Sequence, residues 1–373
     1  CSAPTTIFLH NALMDIPIVI HVVYTHVTSG HADIVNTNSS EPTRIALLGY
    51  GTVGSALHRV LVEHRTHIER ATGRDVEVVA ALVRDASTPR SEIAGEGIRL
   101  VDAPDEIFAM CPDIICEAMG GTDLARDLVL RSLRAGIPVV TANKQLIARH
   151  GAELFACAAD HDVQLRFEAS VCAAIPVIRM LRESLVPARI DRVQGILNGT
   201  TNYILTAMTD QGRQFEDVLA EAQQLGYAEA DPTDDISGAD AAAKLAILAG
   251  IAFHTRIDPA EITQHGIDSV TADDIEHAEV FGCKVRMIGR AERYDDGSIV
   301  ASVSPMLVPE PHPLASVQGA TNGVMITGHP CGDLMVQGAG AGGHGVCVRD
   351  AQLHAEPCRS DFGRAGGFGK RHS

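Results

Sequence analysis

From residue 44 onward, short apolar segments alternate with segments whose apolar residues recur at helical spacing. The runs "RIALLG", "DVEVVAALVRD", "DIICEAMGG", "IPVVTANK" and "VQLRFEASV" are typical of buried strands. Between them, "TVGSALHRVLVEH", "DLVLRSLRAG" and "QLIARHGAELFACAADHD" have the pattern of helices with one apolar face. Strands that alternate with helices predict an α/β fold whose N-terminal domain is a Rossmann-type, doubly wound parallel sheet.

The pattern changes after about Pro176. Helical segments such as "FEDVLAEAQQLG" are accompanied by strand-like segments such as "KVRMIGRAERY" and "SIVASVSPMLV", which predicts a second, α+β domain. The last residues have little periodicity and many Gly, Arg and His residues, so we expect them to be disordered or foreign to the fold. The predicted division is a poorly ordered extension over 1–42, a dinucleotide-binding domain over 43–170, a second domain over 171–320, a return segment over 321–343 and a tail over 344–373.

Composition and charge narrow the class of protein. The chain has 373 residues, 46% of them hydrophobic, and a formal net charge of −17. These values fit a soluble two-domain protein and argue against nonspecific binding to nucleic acid or to an anionic membrane. An anionic ligand therefore needs a local pocket lined by basic groups or backbone amides.

Two further features bear on location. The apolar stretch "IFLHNALMDIPIVIHVVY" near the start is interrupted by His10, Asp15 and His21 and lacks a basic flank, so neither a signal peptide nor a membrane helix is expected. The nine cysteines are odd in number and contain no Cys-x-x-Cys pair. We therefore expect reduced thiols and a cytoplasmic protein.

Gly49, Gly51 and Gly54 form the motif G-x-G-x-x-G between a predicted strand and a predicted helix. In that position the first glycine permits a tight turn, the second lets the backbone approach a pyrophosphate, and the third lets helix and strand pack closely. The following helix would point its N-terminus at the anion. The motif predicts a dinucleotide cofactor.

The second predicted strand ends with Arg84 and Asp85. At this place an acidic residue is typical of NAD binding, and an arginine accommodates the 2′-phosphate of NADP. Arg84 favours NADP, and Asp85 keeps NAD open.

Lysine is scarce, and its positions are informative. The chain contains four lysines, Lys144, Lys244, Lys284 and Lys370, and the first two lie in the tight segments "VVTANK" and "DAAAKL". Ser237 and Asp240 have the spacing of a capping box, so a helix is expected to start near Ser237, with Asp240 and Lys244 one turn apart on the same face. Because the helix continues as "LAILAGIAF", it should be buried, and burial should lower the pKa of Lys244 towards a catalytically useful range.

From residue 44 to about 343 the chain resembles the homoserine dehydrogenases. The resemblance is carried, in order, by "GYGTVG", "VVTANK", "FEASV" with "IPVI", "GILNGTTNYIL", "GYAEADPTDDISGADAAAKL", "PHPL" and "GDLMVQGAGAGG". It implies NAD(P)-dependent interconversion of L-homoserine and L-aspartate 4-semialdehyde, a step in threonine, methionine and isoleucine biosynthesis. It also implies a homodimer formed through the sheet of the second domain.

The resemblance assigns roles to individual residues. Lys244 matches the proton-carrying lysine, and Lys144 matches the lysine at the junction of cofactor and substrate. The substrate-binding residues would be Glu229, Asp235 and Asp240. A monovalent cation, sodium in the family, would be held at Glu168, Val171, Ala173 and Ile175. The cofactor contacts would be Gly49, Gly51, Thr52, Val53, Gly54, Arg84, Gly120, Lys144, Gly226 and Gly340.

The chain departs from the family pattern in two places. Family members usually carry glycines near Ala173 and Ala174, and "GAGAGG" is followed here by "HGVCV" instead of a recognisable helix start. A regulatory ACT-type domain is not recognisable after the core. Two other readings therefore stay open: a catalytically impaired nucleotide-binding homologue, and a related dehydrogenase that acts on another amino-acid aldehyde.

Overall fold

A computed structural model describes residues 41–88, 98–172 and 175–339. The first domain is built on a six-stranded sheet in the order β3-β2-β1-β4-β5-β6, in which every neighbouring pair is parallel. This is the order of a doubly wound dinucleotide-binding fold, with its switch point between β1 and β4. The strands are β1 (Thr43–Leu48), β2 (Val76–Leu82), β3 (Arg99–Val101), β4 (Ile114–Glu117), β5 (Val139–Thr141) and β6 (Leu165–Arg166).

Helices cover both faces of this sheet. Leu57 and Leu61 of the first helix pack with Ile45 and Leu47 on one face, whereas Leu133 packs with the opposite face. This arrangement explains why the strands are apolar throughout instead of alternating. The helices of this domain are α1 (Thr52–Glu63), α2 (Arg65–Thr72), α3 (Pro104–Ala109), α4 (Asp123–Arg134) and α5 (Lys144–Asp160).

The second domain carries a second six-stranded sheet, in the order β12-β11-β7-β9-β10-β8. Its neighbouring pairs are antiparallel except for β8 with β10. Residues 321–339, placed in a return segment by the sequence, form two strands of this sheet. The strands are β7 (Arg189–Ile196), β8 (Thr263–Gln264), β9 (Cys283–Arg293), β10 (Ile299–Pro309), β11 (Thr321–His329) and β12 (Gly332–Ala339).

The helices of the second domain lie mainly against one face of its sheet. The longest of them is buried on most of its circumference, as the apolar run "LAILAGIAF" predicts. They are α6 (Val177–Arg179), which continues as a π-helical turn (Met180–Ser184), α7 (Gly199–Gln211), α8 (Phe215–Gln224), α9 (Thr233–Ile236), α10 (Ala239–Phe253) and α11 (Ala272–Val280).

Within the described ranges, no helix combines the length and the apolar character that crossing a bilayer requires. The cysteines at positions 111, 116, 157, 172, 283 and 331 are free thiols, as the sequence predicts for this part of the chain.

The geometry of the glycine loop between β1 and α1 explains why glycines occupy positions 49 and 54. Gly49 has φ of +100°, and a Cβ atom there would lie 2.7 Å from the carbonyl oxygen of Ala118, at the end of β4. A Cβ atom on Gly54 would lie 2.1 Å from the carbonyl oxygen of Gly49, so helix and strand can be this close only without a side chain. A Cβ atom on Gly51 would meet no protein atom within 4 Å. The first and third glycines are thus required by the fold, and the second borders open space.

This difference gives a matched pair of substitutions. Gly54→Ala should lower the free energy of unfolding by about 1–3 kcal/mol, because the new methyl group forces α1 away from β1. Gly51→Ala should change it by less than about 0.5 kcal/mol. Urea unfolding of both variants checks this, and equal stability of the two would contradict the assigned role of Gly54.

Candidate active site

The candidate site lies where the carboxyl ends of β1, β4 and β5 face the second domain. In open α/β sheets, ligands bind at this edge, next to the switch point. Gly51 is the N-cap residue of α1, and no side chain caps this helix end. Thr52 and Val53, both predicted cofactor contacts, are the first two residues of α1. The free backbone amides of the first turn are therefore available to an anion.

A buried carboxylate organises the loops after β4 and β5. Glu117 accepts hydrogen bonds from the Thr141 hydroxyl at 2.5 Å and from the backbone N–H of Met119 at 2.9 Å. Burial raises the pKa of the Glu117 carboxyl group above its ordinary value. Asn143 donates to the carbonyl oxygen of Gly121 at 2.7 Å and accepts from the N–H of Leu146, which caps α5. This network fixes the turn at Gly120 relative to the start of α5.

Lys144, Asp240 and Lys244 form one charged cluster. The Lys144 ammonium donates to one carboxylate oxygen of Asp240, and Lys244 Nζ lies 2.7 Å from the other. The side chains are 36%, 3% and 13% exposed, respectively. The cluster joins the first helical residue of α5, in the first domain, to the first two turns of α10, in the second. The sequence predicted the Asp240–Lys244 pair, and it is confirmed, but it did not predict that Lys144 shares the same carboxylate.

The charges in this cluster stabilise one another. Burial alone would raise the pKa of Asp240, but the two ammonium groups lower it well below its ordinary value. Burial, the largest single influence, would likewise lower the pKa of Lys244, but the charge and hydrogen bond of Asp240, together with the nearby Asp235, raise that pKa on balance. The prediction that burial lowers the Lys244 pKa is therefore wrong, because it neglected how closely a fully ionised partner lies.

The start of α10 also differs from the prediction. The helix begins at Ala239, and its N-cap residue is Gly238 in the left-handed conformation, with φ of +90° and no side-chain cap. The Ser237 hydroxyl accepts from the N–H of Ala239 at 3.4 Å. The capping box predicted from Ser237 and Asp240 is therefore absent from this described helix end, because Asp240 is turned to the two lysines instead.

Asn198 is a site residue that sequence reasoning missed. Its side-chain N–H group donates to Asp240 at 2.8 Å and to Asp235 at 2.6 Å, and its side-chain oxygen caps α7 through the N–H of Thr201. The carbonyl oxygen of the neighbouring Leu197 accepts from Lys244 at 3.0 Å. The signal was available, since Asn is a preferred N-cap residue.

The other predicted substrate residues lie on the segment before α10. Asp235 is half-buried, and its pKa is raised by burial and then by the charge of Asp240. Glu229 is exposed on the loop after α8, where its backbone carbonyl oxygen accepts from Gln223. Gly226 begins this loop with φ of +77°. The structure thus brings Asp235 to the cluster through Asn198 and leaves the Glu229 carboxylate facing solvent.

Glu168, the predicted cation ligand, is buried and caps α6. Its carboxylate accepts from the N–H groups of Ile178 and Arg179 at 2.9 and 2.8 Å. Burial nevertheless raises its pKa to about 7. The carbonyl oxygen of Ile175 accepts from the N–H of Val177, and Val171 is buried next to Glu168. Ala173 and Gly340, predicted for the cation and the cofactor, lie outside the described residues.

The two residues that follow β2 have different surroundings. Arg84 is exposed. The Asp85 carboxylate accepts hydrogen bonds from the backbone N–H and hydroxyl of Ser87 at 2.8 and 2.6 Å and from the Thr88 hydroxyl at 3.0 Å. The aspartate thus orders its own turn, and the guanidinium extends towards solvent.

Comparison with protein families gives two matches. The family model described as "Homoserine dehydrogenase, NAD binding domain" matches residues 49–168, and the model described as "Homoserine dehydrogenase" matches residues 176–347. Together they cover well over half of the chain, and their boundary falls between the two sheets.

Individual relatives agree. The chain is 44% identical over 307 residues to the homoserine dehydrogenase of Corynebacterium glutamicum. The aligned region covers 80% of this chain and 68% of the relative. It is similar to the crystal structure of a homoserine dehydrogenase from Thiobacillus denitrificans, with a TM-score of 0.75 and 42% identity over 81% of this chain and 70% of that one. A hyperthermophilic archaeal homoserine dehydrogenase in complex with NADPH matches with a TM-score of 0.67 and 29% identity, covering 81% of this chain and 93% of that one.

Proposed function

This chain belongs to the homoserine dehydrogenase family of NAD(P)-dependent oxidoreductases acting on a CH–OH group, and from that premise we propose how its own residues perform the reaction. The reaction interconverts L-homoserine and L-aspartate 4-semialdehyde. The observation that carries the assignment of roles is the cluster of Lys144, Asp240 and Lys244, at the edge where the cofactor motif faces the second domain.

Lys244 is the proton carrier. Its pKa is raised, so it is an ammonium at neutral pH and can donate a proton to the carbonyl oxygen of the semialdehyde. In the opposite direction it must first lose a proton, so oxidation of homoserine should become faster as the pH rises. Asp240 and the carbonyl oxygen of Leu197 both accept hydrogen bonds from Lys244. These bonds fix the position of the ammonium group, and the proton remains on the lysine.

The carboxylates have different tasks. Asp240 is buried and already bonds two ammonium groups, so it acts on the substrate by positioning Lys144 and Lys244. Glu229 is exposed on the loop before α9 and is the carboxylate that we assign to the substrate ammonium. Asp235 lies between Glu229 and Asp240 along the chain, and a hydrogen bond from Asn198 fixes the position of its carboxylate.

The glycine loop fits a dinucleotide. The open space at Gly51 and the uncapped N-terminus of α1 would accept the pyrophosphate, and Gly120 borders the same edge of the sheet. The bound nicotinamide would supply the hydride acceptor or donor. The exposed Arg84, next to an aspartate occupied by Ser87 and Thr88, favours NADP over NAD as the preferred cofactor.

A monovalent cation, sodium by family resemblance, fits next to Glu168. Burial raises the pKa of this carboxyl group although it accepts from two backbone amides, so its ionised form would gain from a nearby positive charge. A cation bound by Glu168 and by carbonyl oxygens at the other predicted positions, Val171, Ala173 and Ile175, would supply the missing positive charge.

The assembly, location and pathway follow from the family. We include in the proposal a homodimer through the second sheet, as the family resemblance implies. A cytoplasmic location and a role in threonine, methionine and isoleucine biosynthesis belong to the same proposal.

Replacement of the proton carrier gives the main test. Lys244→Ala should lower kcat by at least about 100-fold, because proton transfer contributes that much, and should leave cofactor affinity within about twofold. Lys284→Ala is the control, since this lysine pairs with Glu279 on the surface. The rate is followed by the absorbance of the reduced nicotinamide. A Lys244→Ala enzyme within about tenfold of the parent would remove the residue from this role.

The choice of cofactor depends on one side chain. Arg84→Ala should raise KM for NADP by about tenfold, because one charge-assisted hydrogen bond is lost, and should leave KM for NAD nearly unchanged. Steady-state kinetics with both cofactors measures this. Equal effects on both would show that Arg84 does not contact the 2′-phosphate.

If a cation binds at Glu168, sodium should stabilise the folded chain to an extent that depends on pH. The Glu168 pKa of about 7 lies above its ordinary value of 4.5, so stability from this group is complete below pH 4.5 and is lost as the pH rises through 7. Sodium, compared with a bulky organic cation at equal ionic strength, should therefore raise the free energy of unfolding by about 1–3 kcal/mol at about pH 8 and hardly at all at about pH 5.5. Glu168→Gln should abolish the difference; a sodium effect that survives this change would place the ion elsewhere.

A further inference from the structure

A groove of about 860 Å³ lies away from the active site, between α5 and the C-terminal half of α10. β6 and the π-helical turn after α6 close its sides. Its size is in the range of small-molecule sites. Its surface is largely apolar, with Ile147, Phe155, Val163, Leu181, Ile247 and Ile251.

The rim of the groove is basic although the chain is acidic. Four arginines line it, Arg149, Arg166, Arg182 and Arg256, whereas Glu183 is the single acidic side chain among its described lining residues. Glu183 already bonds Arg166 at 2.9 Å and Arg179 at 2.7 Å. In a chain with a net charge of −17, this excess of positive charge around an apolar surface selects for an anion.

One end of the groove combines aromatic and cationic groups. The rings of Phe155 and Phe167 pack with their centroids 5.1 Å apart, and the Arg182 guanidinium lies 5.6 Å from the Phe167 ring. Desolvation and then the charge of Arg166 lower the pKa of Arg182, and the charges of Glu183 and Glu168 offset this repulsion between the two guanidinium groups only in part. An anionic head group would remove this repulsion, and its apolar body would cover the phenylalanines.

The groove contacts the two helices that carry the catalytic lysines. Ile147 lies three residues after Lys144 on α5, and Ile247 lies three residues after Lys244 on α10. Both isoleucines are nearly buried, so a molecule seated on them contacts the packing between the two helices. A change in that packing would move the two ammonium groups relative to Asp240.

We propose that this groove is an effector site for a small organic anion, an apolar body with one carboxylate, and that its occupancy changes the affinity of the active site for substrate. The binding part stands on the groove alone. The coupling part rests on the proposed function. Because binding free energies are linked, an effector that changes substrate affinity by some factor must have its own affinity changed by the same factor.

Binding is tested first, without reference to activity. Decanoate is titrated into the full chain and followed by calorimetry, with decyltrimethylammonium as the cationic counterpart. One site per chain for decanoate and none for the cation is expected. Arg149→Glu and Arg256→Glu, both on the exposed rim, should weaken decanoate binding by about tenfold, and Arg70→Glu, on α2, should not change it.

Coupling is tested second, on the same preparations. Decanoate should change KM for the substrate by about fivefold, with a smaller effect on KM for the cofactor, and saturating substrate should change the affinity for decanoate by the same factor. Loss of both effects in Arg256→Glu would support the proposal.

Three results would overturn it. They are no decanoate binding by the folded chain, equal binding of the cationic counterpart, and binding that the rim variants do not weaken. Binding as expected in a chain that shows no turnover would instead count against the proposed function and leave the groove as an anion site. Binding without any effect on KM would refute the coupling alone.

Discussion

The structure depends on the burial of one carboxylate between two cations. Asp240 is 3% exposed, and such a charge is tolerated only when it is paired and hydrogen-bonded. Its partners come from two domains, Lys144 from the first and Lys244 from its own helix, with Asn198 as a third donor. The α5 and α10 helices must therefore meet at their N-terminal ends, and the cofactor edge of the first sheet is held against the second domain at this point.

Other polar groups of the site fix the segments that carry Lys144 and Asp240. Glu117 fixes the loops that lead to Lys144, and Asn198 fixes Asp235 beside Asp240. Each of these groups is buried or half-buried, and each has hydrogen-bond partners from more than one segment. The cluster that we propose to transfer the proton is therefore held by several hydrogen bonds, whereas Glu229 and Arg84, which we propose to bind ligands, are exposed.

Much of the fold could be predicted because its signals are local. The apolar strands, the glycine loop and the helix that carries Lys244 are encoded in short stretches, and the structure confirms them. Contacts between distant segments could not be read in the same way. The pairing of Lys144 with Asp240 depends on how the domains dock, and the pKa of Lys244 depends on that pairing in turn. The same limit applies to Glu117, whose partners lie on two different loops.

The separation along the chain of the groups that meet at Asp240 also has a consequence for how the protein is made. The glycine loop closes between residues 49 and 54, whereas Lys144 and Asp240 are 96 residues apart. Long-range contacts form only after the chain between them has been ordered. During synthesis the N-terminal sheet emerges before the segment that contains Asp240. The glycine loop is thus complete in the growing chain well before Asp240 can meet Lys144.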